Sequence, residues 1–285
     1  MVLDMKKITK VIRDDERAFY GSKNVSFSNV KIIGPQDGES AFKESKNIEV
    51  SNSLFCLRYP FWHNKHLSIS KCKFKDTARA SLWYCDDVLI NKVNCKGVKA
   101  VRECKNVVIK DSLFESIEFG WQSKNIEIVD SSLNGFYAFL HSKNVKLTNV
   151  NFKGKYSFQY VNGLTIENCI LDTKDAFWHS KDVVVKDSIV KGEYLAWYSQ
   201  NIKFINCKII GTQPICYAKG IVFENCSFEE CDLAFEYSEV NGSITGSLIS
   251  IKNPLKGHII IDDIPPMIVD DFNKSRGDFV IEKRK

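Results

Sequence analysis

Residues 123–141 read SKNIEIVDSSLNGFYAFLH, and the phrase that opens them returns along the chain as SKNVSF at 22, SKNIEV at 45, SKNVKL at 142 and SKDVVV at 180. Taking the Ser as position 1 of a unit, the equivalent residues are Ser22, Ser45, Asn64, Cys85, Cys104, Ser123, Ser142, Val161, Ser180, Ser199, Ala218 and Tyr237. From Cys85 onward every step is nineteen residues, whereas the three earlier steps are twenty-three, nineteen and twenty-one. Insertions therefore sit in the first units, one of them at the PQDG beginning at Pro35. A fixed period near twenty residues is the mark of a solenoid.

Positions 4 and 6 are apolar in unit after unit, as in Val107/Ile109, Ile126/Ile128, Val183/Val185 and Ile202/Phe204. That spacing of two predicts a strand with one buried face, and no stretch carries the i, i+3, i+4, i+7 pattern of a helix. Position 9 is small or β-branched (Cys72, Val93, Ser112, Cys169, Cys207, Cys226), position 11 is large (Phe55, Phe74, Phe114, Phe152, Phe228), and position 17 is apolar (Phe61, Phe139, Phe158, Phe177). Position 3 gathers Asn24, Asn47, Asn106, Asn125, Asn144 and Asn201, with Gly163 and Gly220 as substitutes. Asn and Gly tolerate left-handed backbone, so a tight corner falls there. A leucine-rich repeat would need a leading Leu and a return leg, and a pentapeptide helix a period of five. The pattern instead predicts an all-β, single-stranded right-handed parallel β-helix of about 12 rungs with three short strands per turn. We divide the chain into an N-terminal cap at 1–21, the β-helix at 22–243, and final strands with a C-terminal cap at 244–285.

The 285 residues are 44% hydrophobic and 26% charged, ordinary for a globular protein, and the net charge of +5 is too mild to favour nucleic acid as a partner. No apolar run has the length of a signal peptide or a membrane span, so a cytoplasmic location is expected and no membrane contact. The ten cysteines form no CxxC pair and no cluster at zinc spacing. They read as small buried thiols, and neither a metal nor a cofactor is implied. Position 2 is Lys in eight units, including Lys23, Lys46, Lys65, Lys105 and Lys124, which reads as a solubilising corner.

The last leg of each unit, positions 14 to 19, varies most. All five tryptophans, Trp62, Trp83, Trp121, Trp178 and Trp197, fall at position 18, in a column shared with Lys43, Arg102 and Gln159. A buried unpaired charge is costly, so this column is expected to face outward, against the competing reading of tryptophans filling the core. Position 19 collects His63, Tyr84, Glu103, His141, Tyr160, His179 and Tyr198. Together these residues make a candidate ligand-binding face. For chemistry on it, Asp175, His179 and Glu193 are the candidate catalytic group, since paired acids suit glycoside hydrolysis and a basic group suits polysaccharide elimination.

The phrases ERAFYGSKN, GESAFKESKNIEV, YPFWH, RASLWY, KDAFWHSKDV and GEYLAWYSQN resemble, over nearly the whole chain, a bacterial family of about this length classed as a domain of unknown function. The resemblance implies a right-handed parallel β-helix similar to pectin-lyase-like proteins, and no activity. We therefore expect a carbohydrate or other extended polar ligand on the aromatic face, with hydrolase or lyase chemistry open. The alternative is a non-catalytic scaffold or self-association module forming a homo-oligomer.

Overall fold

The computed structural model describes residues 5–35, 38–270 and 278–285, and it divides into two compact units, residues 1–146 and 147–285. Parts of both expected caps, and Gln36 and Asp37 of the PQDG insertion, lie outside the described residues.

In the first unit, strands Lys6–Thr9, Lys23–Ser28, Lys46–Ser51, Lys65–Ser70, Asp86–Asn91, Lys105–Lys110 and Lys124–Val129 each pair in parallel with the next. The register is the one the repeat dictates, with Val107 beside Ile126 and Ile109 beside Ile128. A second leg of short strands, from Ile12–Arg13 through Lys31–Ile32 and Leu54–Phe55 to Ser132–Phe136, is stacked in the same sense. The second unit repeats the plan. Strands Asn162–Glu167, Lys181–Lys186, Gln200–Ile205, Lys219–Glu229, Val240–Thr245, Lys256–Ile261 and Asp278–Lys283 are parallel neighbours in that order. The chain is an all-β parallel solenoid of about 14 turns on a repeat near 19 residues. Residues 6–13, assigned to a cap from sequence, already contribute strands parallel to those of the first marked rung.

The corner residues behave as their chemistry requires. Asn24, Asn47, Asn106, Asn125 and Asn144 all have φ between 52° and 56°. Their amides form ladders between rungs, with Asn47 donating to Asn24 at 3.0 Å, Asn125 to Asn106 at 2.8 Å and Asn144 to Asn125 at 3.0 Å. Position 8 makes a second ladder, in which Asn168 donates to Asn149 at 2.7 Å and Asn206 to Asp187 at 2.9 Å. Inside, like side chains stack on like: Phe42 on Phe61, Phe55 on Phe74, Phe158 on Phe177, and Phe204 on Phe223. Of the ten cysteines only Cys56 is partly exposed; the others are buried and all are free.

Two expectations need correction. The third leg is not a strand in most rungs; extended pairing survives there only in short pieces such as Phe61–Trp62 beside Leu82–Trp83. From Lys99 onward positions 15, 17 and 19 all adopt left-handed angles, as at Asp175 (56°), Phe177 (62°) and His179 (54°). Each such residue costs about 1–2 kcal/mol of backbone strain. The strain is offset because the three N–H groups bond alternately to the rungs on either side: Asp175 to Glu193 O at 2.9 Å, Phe177 back to Ser157 O at 3.0 Å, and His179 to Trp197 O at 2.9 Å.

The second correction concerns the last marked rung. Gly211 N–H bonds Glu229 O while Gln213 N–H bonds Asp232 O, so one extra residue is accommodated at Glu230–Cys231. Position 1 is therefore Ser238, not Tyr237, and its hydroxyl accepts from Ala218 N–H at 3.0 Å as other position-1 serines do. Phe235 moves into the core, fully buried, and Tyr237 comes to position 19.

Candidate functional site

Because position 17 turns its side chain inward and position 16 is also buried in most rungs, the side chains at 19, and at 18 in most rungs, are left on the outside, whereas position 15 varies, from exposed Tyr137 to buried Asp175. All five tryptophans are half-buried on this outer face, and none belongs to the core. Three indoles are anchored the same way: Trp121, Trp178 and Trp197 donate Nε1–H to the position-15 carbonyls of the following rung, Tyr137, Tyr194 at 2.7 Å and Gln213 at 3.1 Å. The rings consequently lie across the leg and stack on one another along the repeat.

In the first unit the stack is mixed. Lys43 Nζ lies 4.3 Å from the Trp62 ring centre, Trp62 stacks on Trp83 at 5.4 Å and 11°, and the Arg102 guanidinium sits between Trp83 (5.7 Å) and Trp121 (5.4 Å). Arg102 is further held by Glu103 at 3.4 Å and Glu118 at 3.6 Å. This explains how a cation shares a tryptophan column: it is sandwiched by π-faces and neutralised at its edge. Beside this stack at position 19, His63 lies on Tyr84 at 4.9 Å, and His141 is exposed. A hydrogen bond with Glu103 raises the Tyr84 phenol above its ordinary value.

In the second unit Trp178 stacks on Trp197 at 5.4 Å and 5°. Next to them runs a row of five rings, Tyr160, His179, Tyr198, Tyr217 and Tyr237, at successive separations of 4.7, 5.0, 5.0 and 5.3 Å, the first four exposed. Tyr217 falls in the position-19 column of the repeat but was not chosen for the binding face, and Tyr237 was set at position 1. Tyr217 carried no tryptophan beside it, and the one-residue insertion at Glu230–Cys231 hid Tyr237.

The structure places Asp175, His179 and Glu193 in three different settings. Asp175 is only 5% exposed, and burial pushes its carboxyl up, with Lys174 opposing and Glu193 reinforcing the shift. Glu193 is tied to Lys174 at 2.6 Å, and His179 is clamped between the rings of Tyr160 and Tyr198. Among the described residues no group of three or more His, Cys, Asp or Glu side chains converges as a metal site would.

This architecture defines the molecule as a parallel β-solenoid with one ring-lined leg. The chain belongs to the family described as "Protein of unknown function (DUF3737)", whose model matches residues 6–282. No curated protein matches it. Among solved structures it is similar to PfbA, a surface adhesin of Streptococcus pneumoniae, at 12% identity and TM-score 0.41, over 98% of this chain and 85% of that one. It is also similar to the tailspike protein of E. coli bacteriophage HK620, at 9% identity and TM-score 0.38, over 97% and 72% of the two chains. The A-module of the Azotobacter vinelandii mannuronan C-5 epimerase AlgE4 matches at 10% identity and TM-score 0.28, over 98% and 89%. These likenesses concern the fold alone. Among the described residues no helix is long and apolar enough to cross a membrane.

Proposed function

We propose that the protein is a binding solenoid whose third-leg face takes an extended, hydroxyl-rich carbohydrate-type chain, without turning it over. The observation that carries this reading is the unbroken row Tyr160, His179, Tyr198, Tyr217 and Tyr237, with ring separations of 4.7 to 5.3 Å. Within the row each ring face is covered by its neighbours, so a sugar cannot lie flat on it. What the row offers is its rim: phenol hydroxyls and an imidazole nitrogen, one polar group per rung, beside half-buried indoles. Such an edge suits a ligand that repeats its own hydroxyls along an axis, and amphipathic aromatic side chains serve this purpose because they are rigid. Turnover is disfavoured because Asp175 is buried, Glu193 is neutralised by Lys174 and His179 is stacked. The free thiols suit a reducing, cytoplasmic setting.

A glycan array followed by titration calorimetry tests the proposal. Binding should weaken about tenfold or more in Tyr198→Ala and Tyr217→Ala, each of which deletes one hydroxyl and opens the row. A second reading, self-association, is favoured by the neighbouring exposed side chains Ile117, Phe136 and Tyr137 at 44%, 43% and 41% exposure in the first unit. An array without signal, together with a dimer by light scattering that Phe136→Ser dissociates, would replace the first reading with the second.

A further inference from the structure

The insertions of the early rungs open the corner between second and third legs in the first unit. A cleft of about 310 Å³ lies there, lined by Gly34, Cys56, Leu57, Arg58, Thr77 and Arg79. Arg58 and Arg79 occupy position 14 of successive rungs, and the Tyr59 N–H bonds Arg79 O at 3.0 Å, which fixes their register. The third member of this column, Glu39, is bridged to Arg58 in register and its carboxylate meets Arg58 Nε at 2.7 Å. The column continues past Arg79 to Val98, which carries no charge. Glu39 thus pairs with Arg58, and among the described residues Arg79 has no ion pair. Thr77, part of the local insertion, donates its hydroxyl to Cys56 O at 2.5 Å, which pins the inserted loop onto the floor of the cleft.

We propose that this cleft is an oxyanion site, which takes a carboxylate or phosphate-type group of a small ligand in the guanidinium fork of Arg79, with Arg58 completing the positive wall. The chemistry is that of a planar donor pair matched to two oxygens of an anion in a partly enclosed space, where the interaction is stronger than in open water. Burial raises the Cys56 thiol at the cleft wall above its ordinary value, with Lys75 opposing and Asp76 reinforcing the shift, so that at neutral pH it adds no charge of its own. The inference is independent of the ring row in the second unit and stands or falls without it.

Cys56 supplies the assay. It is the one partly exposed cysteine, so a neutral alkylating reagent used on the intact chain at mildly alkaline pH should modify one thiol, at the cleft. Inorganic phosphate and glucuronate, each tested separately with glucose as the uncharged control, should slow that modification, and added salt should reverse the protection. Stronger protection by phosphate identifies a phosphate-type group, and stronger protection by glucuronate a carboxylate. In Arg79→Gln the anion needed for half-protection should rise about tenfold or more, the loss of one charged hydrogen-bonding fork. Continued resistance of the other cysteines shows that the variant is folded. Protection by glucose equal to that by the anions, no protection by either anion, or unchanged protection in Arg79→Gln would each overturn the proposal.

Discussion

Replacing Asn125 separates the two jobs assigned to the corner asparagines. Its amide donates to Asn106 at 2.8 Å and its carbonyl oxygen accepts from Asn144 at 3.0 Å, while its backbone stands at φ 56°. Both hydrogen bonds are exposed, so each is worth the low end of the usual range, about 0.5 kcal/mol. Asn125→Gly loses both, about 1 kcal/mol, and adds about 0.5–1 kcal/mol of backbone entropy, while keeping easy access to the left-handed angle. Asn125→Ala loses the same bonds and must also hold a Cβ residue in that angle, at about 1–2 kcal/mol. The expected losses are therefore about 1.5–2 kcal/mol for Gly and about 2–3 kcal/mol for Ala. Urea unfolding with an unchanged slope would measure them, since the slope reports the surface exposed. An alanine variant as stable as the glycine variant would refute the claim that backbone geometry selects Asn at the corner.

Three further outcomes follow from the second unit. Phe177 is fully buried and stacked on Phe158 at 5.3 Å, so Phe177→Ala should cost about 3–5 kcal/mol by denaturant titration. At Gly192 (φ 152°) an added Cβ would lie 1.8 Å from Thr173 O, backbone of the rung before, so Gly192→Ala should lose at least about 2 kcal/mol despite adding only a methyl group. Burial raises the Asp175 carboxyl, so the stability it contributes is complete below about pH 4, the range of the unfolded group, and is lost as pH rises through the higher folded value. Asp175→Asn should accordingly be more stable than the native protein at pH 7 and show no such gain below pH 4; a variant less stable at pH 7 would mean that the carboxylate is held favourably by Lys174.

Period, register and core columns were legible because they rest on residue type alone: Ile126 and Ile128 announce a strand, and Asn125 a corner. The third leg was less so. Nothing in the letters DAFWH says that Asp175, Phe177 and His179 adopt left-handed angles, since those angles are imposed by hydrogen bonds from the rungs on either side. The charges sharing the tryptophan column argued against a core setting, and all five tryptophans lie half-buried outside the core, on a leg whose backbone is not the strand expected. Ser238 was available as a marker, but a strict nineteen-residue step passed over it. Glu39, Arg58 and Arg79 could be grouped from the repeat as a polar cluster of the early rungs, but the cleft beside them depends on where inserted residues go, which a period cannot express.

The mixed stack of the first unit has a bearing on how the chain finds its own order. Strands as alike as Lys105–Lys110 and Lys124–Val129 can dock one rung out of place while still burying their apolar faces, a topological frameshift with little loss in either leg. The third leg makes such a skip costly. If the rung of Trp121 settled directly on that of Trp83, the two indoles would still stack, but Arg102 would be expelled from between them and Glu103 and Glu118 would lose their common cation. The letters that vary from rung to rung thus act as addresses, telling otherwise interchangeable turns which neighbour is theirs.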